Sequence, residues 1–225
     1  MVSAPAGKAL FSRTGDDISG SFPDLLDTIG HNLVLDGELL VMHGDKVDTF
    51  NQLQQRLNKK KPSVKLMQSL PVAIMAYDLL ELNGESLMNL PLTERRQRLA
   101  DYIKKHPGER LHLSPTYNVS DVAELEKLHE QVTEDTSIEG LMLKRKDSTY
   151  VPGRPKGLWY KWKRNPFIID FVIMYAQRGH GKRSSFYSDF TFGCWEDGPL
   201  KKLVPVGKAY SGFTNDELKL LDKWV

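Results

Sequence analysis

Lys161 and Lys163 stand two residues apart in the run Trp159-Tyr160-Lys161-Trp162-Lys163. In a β-strand such residues share a face, so the two ammonium groups point the same way, about 7 Å apart along the chain. Two fixed positive charges at that spacing suit the oxygens of a phosphate and can hold the charge that develops on them during transfer. The alternation with tryptophans sets this run apart from an ordinary solvated face. Asp36 and Glu38 share a face in the same way within Asp36-Gly37-Glu38-Leu39. A carboxylate there can hold a hard divalent cation or a ribose hydroxyl, although Asp-Gly-Glu alone also fits a strand-end turn with solvated acids. In Glu139-Gly140-Leu141-Met142-Leu143-Lys144, the residues Gly140, Met142 and Lys144 share a face just after Glu139. That segment alone also fits an amphipathic strand with a surface lysine. Tyr77, in Tyr77-Asp78-Leu79-Leu80, offers a π-face for stacking or serves as a core aromatic of a buried strand.

The elements that must position these groups can be read from periodicity and capping. Lys8–Arg13 reads as a strand closed by a turn at Thr14-Gly15-Asp16-Asp17, and Ser21 opens a short helix with Pro23 near its start and Gly30 as its stop. Asn32–Met42 is β-rich. Thr49 and Gln52 form a capping box ahead of Phe50, Leu53 and Leu57, which recur at helical spacing. Val72–Leu80 is a buried-type strand ending at the Asn83-Gly84 turn. Helices are expected over Thr93–Lys105 and Ser120–Val132, the second with Val122, Leu125, Leu128 and Val132 on one apolar stripe. Gly140–Lys144 and Leu158–Arg164 read as strands. The texture changes after Asn165-Pro166, where a domain boundary is placed. Phe167–Ala176 and Phe186–Cys194 read as strands around a Gly/basic loop, Arg178–Arg183, with Cys194 buried. A capping box at Thr214 and Glu217 opens a helix carrying Leu218, Leu221 and Trp224.

Composition narrows the class. The 225 residues are 40% hydrophobic and 27% charged with a net charge of +2, ordinary for a globular chain. No apolar run approaches the roughly 20 residues that span a bilayer, Met1 to Gly7 lack the basic and apolar regions of a signal peptide, and the single Cys194 excludes an internal disulfide framework. A cytoplasmic location is the expectation. His31, His43, His106, His112, His129 and His180 lack metal spacing, and neither a Walker A loop nor a Rossmann glycine fingerprint is present. Lys144–Arg164 holds eight Lys/Arg against Asp147 alone, and Arg178, Lys182 and Arg183 form a second basic cluster. Both suit phosphate groups.

Taken together in this order, Asp36–Leu39, Tyr77–Leu80, Glu139–Lys144 and Trp159–Lys163 resemble the nucleotidyltransferase motifs of bacterial ATP-dependent DNA ligases. Phe11-Ser12-Arg13-Thr14-Gly15, followed by Phe22-Pro23, is similar to the segment those ligases carry just after their catalytic lysine motif. The resemblance spans nearly the whole chain. It implies an α+β nucleotidyltransferase fold with antiparallel sheets flanked by helices, over residues 1–165, and a partial OB-fold β-barrel over 166–225. It further implies ATP (AMP) held by Arg13, Glu38, Tyr77, Lys144, Lys161 and Lys163, with Lys161 and Lys163 acting on the α-phosphate. Mg2+ or Mn2+ would be held by Glu38 and Glu139. Nicked double-stranded DNA would be contacted by Arg13, Arg178, Lys182 and Arg183. A monomer acting at the bacterial nucleoid in DNA repair, replication or recombination is the corresponding expectation.

Such ligases carry AMP on a lysine amine of a Lys-x-Asp-Gly motif, then on the 5′-phosphate of a nick, before the 3′-hydroxyl displaces it. No Lys-x-Asp-Gly occurs here: Val34-Leu35-Asp36-Gly37 has the Asp-Gly without the lysine. The motif is expected upstream of Met1 and the family's last basic motif beyond Val225, which makes the chain a piece incomplete at both ends. Alone it is expected not to form lysyl-AMP. An RNA ligase or capping-type nucleotidyltransferase, or a non-catalytic nucleic-acid-binding module, are the competing readings. The ligase reading requires Glu38, Tyr77, Glu139, Lys144, Lys161 and Lys163 to converge around one adenylate-sized cavity.

Overall fold

A computed structural model describes every residue except Met1, Pro5, Ala6, His31, Thr136, Arg154, Phe167, Pro199 and Leu200, and the backbone alone at Val2, Ser3, Ala4 and Lys182. His31, Phe167 and the Lys182 side chain, named above, therefore lie outside the described residues. The chain divides into two units, Met1–Arg164 and Asn165–Val225.

The first unit opens with a hairpin of β1 (Val2–Ala4) and β2 (Gly7–Ala9), then a one-turn helix α1 (Pro23–Leu26), the long strand β3 (Leu33–His43) and the short β4 (Lys46–Val47). Helices α2 (Phe50–Leu57) and α3 (Val64–Ser69), the long strand β5 (Val72–Leu82) and β6 (Glu85–Ser86) follow. Helix α4 (Leu92–Lys105), β7 (Leu111–Leu113), helix α5 (Val122–Thr133) and the strands β8 (Gly140–Lys144) and β9 (Trp159–Lys163) complete it. Among the described residues the main sheet runs β2-β1-β3-β5-β6, with β4 on β3 and β7 parallel to β5. Its centre, β5, is buried on both faces at Val72, Ala73, Ile74, Ala76, Asp78 and Leu79. That accounts for the near-continuous apolar run. Helix α4 covers it with Leu92, Arg95, Leu99 and Tyr102, spaced as one helical stripe. Phe22, Leu25, Leu33, Leu35, Leu79, Leu87 and Leu99 form the heart of the core, each contributing roughly 1.5–3 kcal/mol by leaving water.

The β3–β5 pairing shifts register twice, between Val34 and Leu35 and between Asp36 and Gly37. Each shift leaves an extra residue on β5: Leu80 at the first and Tyr77 at the second. Such bulges bend a strand and re-aim its side chains. Gly37 is required opposite, because a Cβ there would lie 2.8 Å from Ile74 Cγ2 and 2.9 Å from the Met75 carbonyl oxygen.

Several local expectations are corrected. Helix α1 stops at Leu26, short of Gly30, where the Thr28 hydroxyl donates to the Leu25 carbonyl and competes with the ladder. Thr49 caps α2 by position only, with no side-chain bond to the helix. The Thr49 N–H is turned toward Asp48 Oδ1, 2.6 Å away. In α5 the cap is Asp121, accepting from the Glu124 N–H at 2.8 Å. Val122 lies 69% exposed while His129 is buried, so the inward stripe is Leu125, Leu128, His129 and Val132. The N-terminal strand is shorter than Lys8–Arg13, with Phe11 only bridging to Asp17.

The second unit is an antiparallel sheet of β10 (Val172–Arg178), β11 (Tyr187–Trp195) and β12 (Leu203–Ala209), with helix α6 (Asn215–Trp224) packed on β11. The Thr214–Glu217 capping box forms as expected. Strand β12 was not anticipated because Pro205 and Gly207 interrupt its pattern, yet Pro is tolerated on an edge strand, and β12 is one. The expected strand from Phe167 begins only at Val172, with Ile168 94% exposed. Cys194 is exposed. Its neighbour Gly193 is buried instead, and the register shift beside it leaves Val206 as an extra residue on β12.

Candidate functional site

Strands β8 and β9 pair antiparallel with Gly140 opposite Lys163, Met142 opposite Lys161 and Lys144 opposite Trp159. Directly opposed residues share a face, so both sequence triads, Gly140/Met142/Lys144 and Trp159/Lys161/Lys163, lie on one surface. Gly140 makes this close pairing possible. Its φ of +138° is one that L side chains rarely adopt, and a Cβ would fall 2.0 Å from the Trp162 carbonyl oxygen. On the opposite face, the buried His129 ring stacks on Trp162, with centroids 4.2 Å apart and planes 10° from parallel. Its Nε2 donates to the Lys163 carbonyl (3.2 Å), backing the lysine strand from α5.

At one end of this surface, Lys144 Nζ lies 3.9 Å from the ring centroid of Tyr77 and 3.9 Å from that of Trp159. Burial pulls the Lys144 ammonium down to a pKa of about 8, while Asp78 and Asp36 act the other way. The two ring faces also favour the charged form. The Tyr77 hydroxyl donates to Asp36 Oδ1 (2.8 Å) and the Tyr150 hydroxyl to Asp36 Oδ2 (3.1 Å). Burial, then Asp36, raises both phenols, Tyr150 to about 12 and Tyr77 further. Asp36 is thus committed to two tyrosines, and Glu38 is left as the open carboxylate of the Asp-Gly-Glu segment.

Glu38 joins the main sheet to the β8–β9 pair. Loss of water raises its carboxyl, Lys161 lowers it, Glu139 and Asp36 raise it, and Arg13 lowers it. Each of these groups therefore lies within electrostatic reach of Glu38. The Lys161 ammonium donates directly to Glu139, and that bond, with Lys163 and Arg164 nearby, holds the Glu139 carboxyl below its ordinary value. Among the described residues no group of three or more His, Cys, Asp or Glu side chains could hold a metal ion. The carboxylates on this surface that would serve a hard cation are Glu38 and Glu139, its remaining ligands coming from phosphate oxygens and water.

Of the six residues expected around one adenylate-sized cavity, Tyr77 and Lys144 meet in ring contact and Lys161 bonds Glu139, while Glu38 and Lys163 lie within electrostatic reach of that ion pair. The surface is open, with the side chains of Lys161 and Glu139 42% and 72% exposed. A cavity of about 570 Å³ elsewhere in the first unit, lined by Thr28, Tyr102, His106 and Arg110 among others, contains none of them. In the second unit, Arg178 donates to the Ser185 carbonyl (2.9 Å) and lies over the Tyr187 ring, and Arg183 donates to the Phe213 carbonyl (3.3 Å). Both therefore help to shape the loop they were expected to lend to nucleic acid.

Sequence reasoning missed Tyr150, Arg95 and Arg96. Arg95 Nε and Nη2 donate to the two oxygens of buried Asp78, and Arg96 Nη1 donates to the Tyr77 carbonyl (3.2 Å). Consecutive arginines thus bracket the Tyr77-Asp78 bulge. One signal was present: Arg95 occupies a buried position of the α4 stripe. Tyr150 carried no signal, since its partner Asp36 lies 114 residues away.

Residues 5–163 match the family model described as ATP dependent DNA ligase domain. A probable DNA ligase of Koribacter versatilis is 34% identical, the alignment spanning 96% of this chain and 41% of that protein. A DNA ligase of Methanoculleus marisnigri is 32% identical over 93% of this chain and 37% of its own length. The chain thus spans about two fifths of the length of these relatives. Among solved structures, the ligase domain of M. tuberculosis LigD aligns with a TM-score of 0.54 at 25% identity, over 98% of this chain and 66% of that one. A structure from a study of Lig E DNA ligases aligns with a TM-score of 0.65 at 21% identity, over 95% of this chain and 75% of that one, and shares the fold.

Proposed function

The chain belongs to the ATP-dependent DNA ligase domain family and has its nucleotidyltransferase fold, and from this premise we propose that it forms the nucleotide pocket of an enzyme that seals nicks in double-stranded DNA. The observation that carries the proposal is the meeting of Glu38, Tyr77, Glu139, Lys144, Lys161 and Lys163 on one surface from segments far apart in sequence. In this reading Tyr77 stacks on adenine, while Lys161 and Lys163 grip the α-phosphate and hold its charge as it transfers. Glu38 meets the ribose or a divalent cation, Lys144 borders the base, and Arg13 reaches the ribose or the DNA backbone. Mg2+ or Mn2+ between Glu38 and Glu139 would neutralise phosphate charge. The first unit is then the adenylation domain, and Asn165–Val225 is part of an OB domain whose Arg178, Lys182 and Arg183 lie against DNA phosphates. A monomer working at the nucleoid goes with this reading.

Calorimetric titration of the chain with ATP and Mg2+ tests it. Saturable binding is expected, weakened about tenfold or more in Lys161→Ala, by loss of a charged contact to phosphate. Absence of ATP binding by the unsubstituted chain, or full affinity in Lys161→Ala, would refute the pocket.

A further inference from the structure

We propose that Tyr150 and Asp36 are positioning residues that lock the ring of Tyr77, and with it the stacking face offered to the base; the proposal rests on the nucleotide reading above. Asp36 has two carboxylate oxygens, and each accepts one tyrosine hydroxyl, Tyr77 at 2.8 Å and Tyr150 at 3.1 Å. A carboxylate bonded by Tyr77 alone could swing with it. The second tyrosine removes that freedom.

Each phenol is also anchored at its root. Tyr77 occupies a strand bulge whose carbonyl is held by Arg96 (3.2 Å), and its neighbour Asp78 is clamped by Arg95. Tyr150 donates its N–H to the Met88 carbonyl (2.8 Å), while Arg95 holds the Ser148 carbonyl (3.0 Å) two residues earlier and lies 5.9 Å from the Tyr150 ring centre. Both phenol rings meet Trp159 edge to face, with centroids 6.2 Å apart at 83° and 76°. Lys144 Nζ lies over the Tyr77 ring, 3.9 Å from its centre, so an adenine stacking on Tyr77 would meet a ring already held in plane. A ring fixed in plane before the ligand arrives spares the ordering cost that a loose ring would add to binding.

The test removes one oxygen atom. In Tyr150→Phe the ring remains and the bond to Asp36 goes, and Asp36→Asn serves as an independent second variant. ATP should bind about three- to tenfold more weakly to either, while inorganic triphosphate, which has no base to stack, binds as before. In spectra of 13C-labelled tyrosine, the Tyr77 ring signals should shift and flip faster in Tyr150→Phe. Unchanged ATP affinity with unchanged Tyr77 signals would overturn the proposal. Equal losses for ATP and triphosphate would do so as well, because they would mark general structural damage. Failure of the unsubstituted chain to bind ATP would sink the nucleotide reading first, whereas loss of ring locking without that failure supports Tyr150 alone.

Discussion

Replacing Arg95 with Met keeps the length of the side chain and deletes its charge. Arg95 and Asp78 are both 0% exposed. The guanidinium donates to Asp78 at 2.8 and 2.9 Å, to the Leu90 carbonyl at 2.5 Å and to the Ser148 carbonyl at 3.0 Å. Arg95→Met therefore leaves a buried carboxylate without its bonded guanidinium and two carbonyls without that donor. Breaking a buried pair from one side costs about 3–5 kcal/mol, much of the roughly 5–15 kcal/mol that holds a domain together. Removing the orphaned charge as well should help: Arg95→Met with Asp78→Leu is expected to be about 2 kcal/mol more stable than Arg95→Met alone. Full recovery is not expected, since the Leu90 and Ser148 carbonyls still lack partners. Urea unfolding of the whole chain, followed by circular dichroism and fitted with two transitions if the units melt separately, reads these differences. A loss below about 1 kcal/mol for Arg95→Met, or a double variant less stable than the single, would refute the idea that this pair is held by mutual burial.

Three further outcomes are expected. Gly140→Ala should separate β8 from β9, because its Cβ collides with the Trp162 carbonyl, and ATP binding should be lost while the second unit keeps its unfolding transition. Lys144 has a folded pKa lowered to about 8 from 10.5, so the unfolded chain binds more protons between those values. The penalty of burying its charge is complete below about 8 and is relieved as pH rises. Urea unfolding should show the first unit gaining up to about 3 kcal/mol across that window, and Lys144→Met should flatten the rise. Incubation with labelled ATP and Mg2+ should leave no stable AMP on the chain, since no Lys-x-Asp-Gly is present to carry it. Label retained on a lysine would contradict this.

Much of the site was legible before the fold was known. The parity of Trp159, Lys161 and Lys163, and of Gly140, Met142 and Lys144, follows from strand geometry alone, and the pairing of β8 with β9 placed both triads on one face. Asp36 shows the limit of the same reasoning. Alternation put it beside Glu38 as an equivalent carboxylate, yet two tyrosine hydroxyls engage it. The α5 stripe shows another limit, because an apolar pattern included Val122 and passed over His129, whose burial depends on Trp162 in a strand formed later in the chain.

What the chain determined by itself is what short-range geometry dictates: alternation along strands, helical stripes, the Thr214 cap, and the order of motifs that marks the family. What only the tertiary structure decided is where separate strands shift register and which distant groups meet. The Tyr77 bulge exists only because β5 pairs with β3, and the Asp36–Tyr150 bond closes a separation of 114 residues. Interactions of that kind depend on packing and on loss of water throughout the core, so no local pattern records them.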